Sequence, residues 1–173
     1  MLIAGMGNVF SGDDGVGPYT VRLLESHYDF AEGVELADLG TPGLDLASDL
    51  AAFDVVILFD SVNDGRPAGS VTPYRKEEVL RNGVDLMRMD THSLALPESL
   101  FIAGLAGQVP EDLLLIGITG ERFDAGPGLS ESVRNAINQA ILIALAELDR
   151  LRVPYAEKVS PAPPQIWWES PSQ

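Results

Sequence analysis

Cysteine is absent from this chain of 173 residues, and basic residues are few. Without cysteine the protein has no disulfide bond, no thiolate nucleophile and no cysteine-ligated zinc or iron–sulfur site. The 11 Lys and Arg residues stand against 26 Asp and Glu residues, which gives a formal net charge of −15. A surface this acidic repels nucleic acid and anionic membranes, so we expect neither as a partner.

Long apolar runs are missing as well. No stretch is long enough to span a membrane, and the N-terminus lacks the basic segment and apolar core of a signal peptide. We therefore expect a cytoplasmic protein. The length suits one domain with one core, and we expect that domain to be a monomer.

Apolar runs of strand length alternate along the chain with segments of helical periodicity. The predicted strands cover residues 1–6, 33–40, 54–60, 69–75 and 112–119, and the predicted helices cover 14–28, 44–53, 97–106 and 130–152. This alternation predicts an α/β fold: a single three-layer domain over residues 1–152, with a mostly parallel twisted sheet and helices on both faces. Pro73 lacks an N–H donor, which favours an edge position for strand 69–75, and Ser130 is a suitable N-cap for the last helix.

Residues 153–173 form a tail of different composition. The segment is rich in proline and serine, which predicts an extended chain of the kind typical of disordered regions. Trp167 and Trp168 either pack on the surface of the domain or form a docking element, and packing is favoured because aromatic residues alone are weak evidence for an interface. We expect truncation after Arg152 to leave the fold intact.

The first loop, GMGNVFSGDD at residues 5–14, begins like a dinucleotide-binding loop and ends in two acids. Phe10 occupies the position of the third glycine of G-x-G-x-x-G, and acids stand where a helix N-terminus would bind phosphate. Asp13 is predicted to cap the following helix, and Asp14 to complement its dipole. Structural roles in tight turns and loop bracing are predicted for Gly5, Gly7, Asn8 and Gly15.

Further polar residues lie near the predicted carboxyl ends of the parallel strands, where ligands of such sheets bind. Asp38 and Asp60 end strands, and His92 lies in a polar segment before a predicted helix. Each has a structural interpretation: Asp38 can cap the turn at 40–43, Asp60 can accept backbone N–H bonds, and His92 can be a capping or core residue. Together, carboxylates and an imidazole suit a divalent first-row metal such as nickel or zinc. A Ser-His-Asp triad competes with this interpretation, but no G-x-S-x-G motif is present.

The segment GMGNVFSGDDGVG resembles the opening motif of the hydrogenase maturation endopeptidases, in which G-x-G-N precedes two acids and a glycine. DLGTPGLDL and LLLIGITGERFDAGPGLSESV also resemble segments of that family, so the likeness extends in order over residues 1–150. It implies three metal ligands: Asp14, Asp60 in VVILFDSV and His92 in DTHSLALPESL. Some members carry glutamate at the position of Asp14.

The resemblance implies an endopeptidase that removes the C-terminal extension of a nickel–iron hydrogenase large-subunit precursor after nickel insertion. Nickel would be supplied by the substrate as a recognition element, with no organic cofactor. The metal could polarise the scissile carbonyl, or a carboxylate such as Asp38 could act as general base, and the sequence does not choose between them. Two alternatives stay open: a non-catalytic nickel-checking chaperone, and a nucleotide-binding enzyme that uses Gly5-Met6-Gly7 and places Asp38 on a ribose.

Overall fold

The computed structural model describes residues 1–42, 46–82, 100, 104–105 and 109–169. Its strands are β1 (Leu2–Met6), β2 (Tyr28–Phe30), β3 (Glu35–Gly40), β4 (Val55–Val62), β5 (Val71–Arg75), β6 (Asp112–Thr119) and β7 (Tyr155–Glu157). Among the described residues the main sheet has five strands in the order β3-β1-β4-β6-β5. Strands β1, β3, β4 and β6 run parallel, whereas β5 pairs antiparallel with β6 at the edge. The predicted mostly parallel sheet is confirmed, as is the edge position of the strand that contains Pro73.

Four helices surround this sheet within the described residues: α1 (Val16–His27), α2 (Leu46–Ala51), α3 (Lys76–Asn82) and α4 (Glu131–Leu151). A 3-10 turn at Gly12–Gly15 leads into α1. Ser130 caps α4 as predicted, since its side chain accepts the N–H of Val133. Helix α3 was not predicted. Most of the helix predicted at 97–106 lies outside the described residues.

Alternating side chains of the strands fill two apolar layers, one on each face of the sheet. Ile3, Ile57 and Phe59 pack with α1 and α4, and all three are fully buried. Val56 and Leu58, on the opposite face of β4, pack in a second cluster with residues from α2 and α3. Burial on both faces explains the nearly continuous apolar runs in the sequence and confirms the three-layer architecture. None of the helices among the described residues has the length and apolar character needed to cross a bilayer.

The described part of the tail, up to Glu169, packs on the domain. Strand β7 (Tyr155–Glu157) pairs antiparallel with β2 (Tyr28–Phe30), which follows α1 directly. Farther along, the Ser26 hydroxyl donates to the carbonyl of Ala162 at 2.6 Å. The described part of the tail ends in a 3-10 turn at Trp167–Glu169, in which Trp168 is only 6% exposed. The disorder suggested by composition therefore does not describe residues 155–169. Packing on the domain is the correct interpretation for Trp168, whereas Trp167 is 62% exposed.

A carboxylate rim at the carboxyl ends of the parallel strands

The parallel direction of β1, β3, β4 and β6 brings their carboxyl ends to one edge of the sheet. The loop after β1 carries Asp14, β4 carries Asp60 two residues before its end, and β3 carries Asp38. Asp60 is in register with Gly117 of β6, and Asp38 is in register with Gly5 of β1. We call this edge, with its carboxylates, the rim. Strand direction alone therefore places these three predicted site residues on the same side of the molecule.

Close backbone contacts hold the start of α1 against the rim. A Cβ atom on Gly17 would lie 2.3 Å from the carbonyl oxygen of Met6 and 2.5 Å from that of Phe59. A side chain at this position would therefore push α1 away from β1 and from the residue that precedes Asp60. Gly7 has a φ of +132°, and a Cβ there would meet the Asp14 carbonyl oxygen at 1.7 Å. Glycine is needed at both positions because the loop and helix pass so close to the strand ends.

Asp14 lies half-buried in the 3-10 turn before α1, with its carboxylate directed back at the loop. Its Oδ2 accepts the N–H of Asn8 at 2.7 Å. Asn8 in turn accepts the N–H of Phe10 with its side-chain Oδ1 at 3.0 Å. The two bonds link the acid to the loop that follows β1, so the orientation of the Asp14 carboxylate depends on the loop conformation.

Most N–H groups of the same loop donate to acceptors within the protein. Asn8 donates to Asp14, Gly7 donates to the carbonyl of Gly40, and the four N–H groups of residues 11–14 donate to backbone carbonyls. A phosphate cradle needs such groups to point at the ligand. In this protein an internal carboxylate and carbonyls take that place, which favours a cation-facing rim over the nucleotide-binding alternative.

Asp60 is buried, with 6% of its surface exposed. Its Oδ1 accepts the N–H of Ser61 at 2.9 Å, as the structural interpretation of this residue expected. Burying a carboxylate at the end of an apolar strand is costly unless polar or positive groups surround the charge. Beside it, the Oγ of Ser61 is buried and has no hydrogen-bond partner among the residues that the structure describes. The end of β4 thus combines a buried acid with a buried hydroxyl, and the sequence reasoning had passed over the hydroxyl.

His92 lies outside the described residues, so the predicted set of Asp14, Asp60 and His92 stays a prediction. Within the part of the chain that the structure describes, no group of three or more His, Cys, Asp or Glu residues is arranged to hold a metal ion. Asp14 and Asp60 place two carboxylates on separate elements of the rim. Completion of a mixed oxygen and nitrogen set therefore depends on His92.

Asp13 is not the helix cap that its position predicted. Neither the 3-10 turn nor α1 has a side-chain cap, and the fully buried Asp13 carboxylate points instead to a distant loop. It accepts the N–H groups of Glu121 and Arg122, both at 2.8 Å, and the N–H of Ser130 at 2.6 Å. The Ser130 hydroxyl adds a fourth bond at 2.9 Å. Burial acts to raise the pKa of Asp13, but these hydrogen bonds outweigh it and hold the pKa below its usual value.

Asp38 has the contacts of a turn-capping residue. Its Oδ1 accepts the N–H of Gly40 at 3.0 Å, and its Oδ2 lies 3.9 Å from Nη2 of Arg22 on α1. The bond to Gly40 is the contact that its structural interpretation expected, whereas the ion pair with Arg22 was not predicted. The role of Asp38 as a general base stays a prediction.

A fourth acid near the rim, Asp64, was missed by the sequence reasoning. It follows β4 and accepts hydrogen bonds from the hydroxyls of Tyr74 at 2.7 Å and Thr119 at 2.9 Å. Burial acts to raise the pKa of Asp64, but the hydrogen bonds from Tyr74 and Thr119 lower it below its usual value. Burial and the bond to Asp64 together raise the pKa of Tyr74 to about 12. The signal in the sequence was the Asp64-Gly65 pair shortly after the most apolar strand, and no role was predicted for it.

The fold and the rim define an α/β protein with an acidic site at the carboxyl edge of a parallel sheet. The model of the hydrogenase maturation protease family (HycI) matches residues 18–147, which begin after the acidic loop. The hydrogenase expression/formation protein HoxM of Azotobacter vinelandii is 36% identical over 170 residues, covering 94% of this chain and 82% of HoxM. The hydrogenase 2 maturation protease of Escherichia coli is 31% identical over 149 residues, covering 86% of this chain and 90% of that protease.

Solved structures agree with these matches. The hydrogenase maturating endopeptidase HybD from E. coli superposes with a TM-score of 0.83 at 30% identity, covering 91% of this chain and 96% of HybD. The chain belongs to the hydrogenase maturation protease family, a family of peptidases, and the resemblance stated from its motifs is confirmed.

Proposed function

We propose that this chain is a cytoplasmic endopeptidase that removes the C-terminal extension of a nickel–iron hydrogenase large-subunit precursor after nickel insertion. The observation that carries the proposal is the placement of Asp14 and Asp60 at one edge of the sheet in a chain of this family. Both residues occupy the positions that the family motif assigns to metal ligands.

Nickel enters this scheme as part of the substrate. Asp14 and Asp60 offer oxygen atoms, and His92 adds a nitrogen, a mixed set that suits a divalent first-row metal. Three protein ligands leave coordination positions for groups of the precursor itself. Recognition of the bound metal then makes cleavage conditional on completed nickel insertion.

The first experiment compares nickel-loaded with nickel-free precursor. Only the loaded form is expected to shorten on a gel after incubation with the protein. Equal cleavage of both forms would show that nickel is not the recognition element. A protein that binds loaded precursor tightly but never shortens it would be the non-catalytic nickel-checking chaperone instead.

The second experiment tests the ligands. Asp60→Asn and His92→Ala are expected to reduce both cleavage and the affinity for added cadmium by at least about tenfold, since each removes one of three ligands. Asp54→Asn is the matched control, because Asp54 is exposed at the opposite end of β4. Full activity in both ligand variants would place the site elsewhere.

A further inference from the structure

Two exposed aromatic rings meet beside the acidic loop. Phe10 is 51% exposed and Trp167 is 62% exposed, although both are large apolar side chains. Their ring centroids lie 5.8 Å apart in an edge-to-face arrangement. One ring comes from the first loop of the chain and the other from the tail. We call this pair the aromatic edge.

The tail holds Trp167 in place rather than leaving it free. Trp168, whose ring lies 5.6 Å from that of Trp167, is buried. The next residue, Glu169, forms an ion pair with Arg134 of α4, and that guanidinium also lies 5.3 Å from the ring of Tyr19. Contacts on both sides therefore fix the exposed ring relative to the domain, which lowers the entropic cost of binding a partner there.

The aromatic edge is continuous with the rim. The Phe10 N–H donates to the side chain of Asn8, and the Asn8 N–H donates to Asp14. The Phe10 carbonyl accepts the N–H of Gly126, which ties the edge to the loop at 120–128. A segment of substrate lying on the two rings would therefore lie within a few residues of the predicted metal-facing acid.

The negative charge of the protein limits which partners can bind at the aromatic edge. Glu121, Arg122 and Asp124 are exposed on the loop at 120–128, and the chain as a whole carries −15. A second copy of the chain, a nucleic acid or an anionic bilayer would each be repelled. A neutral or basic peptide is not repelled by the negative charge of the protein, and a large apolar side chain on that peptide can pack against the two rings. Tryptophan is also enriched among the interface residues that contribute most of the binding energy.

We propose that the aromatic edge binds the polypeptide segment of the precursor next to the scissile bond, through a large apolar side chain of that segment. This inference rests on the proposed function and adds a docking contact separate from the metal. The edge selects the peptide, while the rim acids respond to nickel. Affinity for precursor and affinity for metal should then be separable by substitution.

Kinetics provide the first test. Phe10→Ala and Trp167→Ala are expected to raise KM for nickel-loaded precursor about tenfold each, the effect of losing one good contact in an interface. Their cadmium affinity and melting temperature should stay close to those of the unmodified protein. Leu142→Ala is the matched control, since Leu142 is 64% exposed on α4 and lies beside His27 at the far end of α1. Unchanged KM in both aromatic variants would overturn the proposal.

The chain contains only two tryptophans, so 5-fluorotryptophan labelling gives a second, direct test. The label produces two ¹⁹F resonances, which Trp167→Phe assigns. Added unlabelled precursor should shift the Trp167 resonance more than that of Trp168. This readout does not need cleavage: a shift without cleavage supports docking and rejects the proposed peptidase function. Cleavage without a shift rejects docking alone. A shift that depends on protein concentration without precursor would assign the edge to a second copy and overturn the proposal.

Discussion

Replacement of Asp13 by asparagine should be among the most destabilising single polar changes at the rim. The carboxylate uses Oδ1 to accept the Ser130 N–H and Oδ2 to accept three further donors, from Glu121, Arg122 and the Ser130 hydroxyl. Asparagine keeps only one acceptor oxygen, so its amide N–H₂ must face a donor on one side. In the best orientation the amide oxygen keeps the three bonds of Oδ2, and the bond from the Ser130 N–H is lost. The Ser130 N–H is then left unpaired.

The size of the effect follows from these bonds. A hydrogen bond to a charged group contributes roughly 1.5–3 kcal/mol, and an unpaired buried donor costs about 1–3 kcal/mol more. We expect Asp13→Asn to lower the free energy of unfolding by about 3 kcal/mol at pH 7. For a domain of this size that corresponds to a melting temperature lower by roughly 10 °C.

Guanidinium unfolding, followed by tryptophan fluorescence, measures this difference. Asp124→Asn is the control, because Asp124 is an exposed acid in the loop that Asp13 holds, and a change within about 0.5 kcal/mol is expected there. The pKa of Asp13 is held below its ordinary value of 3.8, so its contribution is present above that pH and is lost as the pH falls through the folded-state pKa. The free energies of unfolding of the unmodified protein and of Asp13→Asn should therefore become similar in acid. A loss below about 1 kcal/mol at pH 7 would refute the reasoning.

Three further changes test polar pairing and packing in other parts of the domain. Glu147 is 5% exposed and pairs with two arginines; burial opposes its ionisation, but those pairs lower its pKa to about 2. Glu147→Gln should lower the free energy of unfolding by about 3 kcal/mol at pH 7, and this difference should disappear as the pH falls from 4.5 towards 2. Glu131→Gln is the control, because Glu131 is exposed in the first turn of α4, and it should lower the free energy of unfolding by under about 1 kcal/mol. Ser61→Ala removes a buried hydroxyl that has no partner in the described part of the chain, so stability should stay equal or rise by up to about 1 kcal/mol. A clear loss of stability in denaturant would reveal a partner of this hydroxyl. Truncation after Arg152 removes buried Trp168 and the strand that pairs with β2, so calorimetry should show a free energy of unfolding lower by about 3 kcal/mol or more. An unchanged melting temperature would instead support the expectation from sequence that the fold does not need this tail.

Local pattern was enough to predict the main strands and the two long helices. The strand predicted at 54–60 is observed at Val55–Val62, and the helix predicted at 130–152 is observed at Glu131–Leu151. Such elements are long enough for periodicity and capping to identify them. Strand direction then placed Asp14, Asp38 and Asp60 on one edge without any coordinates.

Long-range pairing could not be predicted in the same way. Strands β2 and β7 have three residues each, too few to show a period, and they lie more than 120 positions apart in the chain. The partners of Asp13 are equally remote, so a local rule assigned it the nearest helix terminus instead. Asp64 was missed because its partners Tyr74 and Thr119 come from two later strands.

The bonds that shape the first loop also determine when it can form. Gly12 donates to the carbonyl of Gly126 and Asp13 donates to that of Arg122, contacts that span more than 100 residues. Closing so long a stretch of chain costs entropy before any contact compensates for it, and such contacts slow folding. A partly folded molecule with β1 and α1 in place would still lack the loop geometry that orients Asp14. Catalytic competence should consequently appear late in refolding, together with the docking of α4, so the onset of cleavage would report completion of the whole domain.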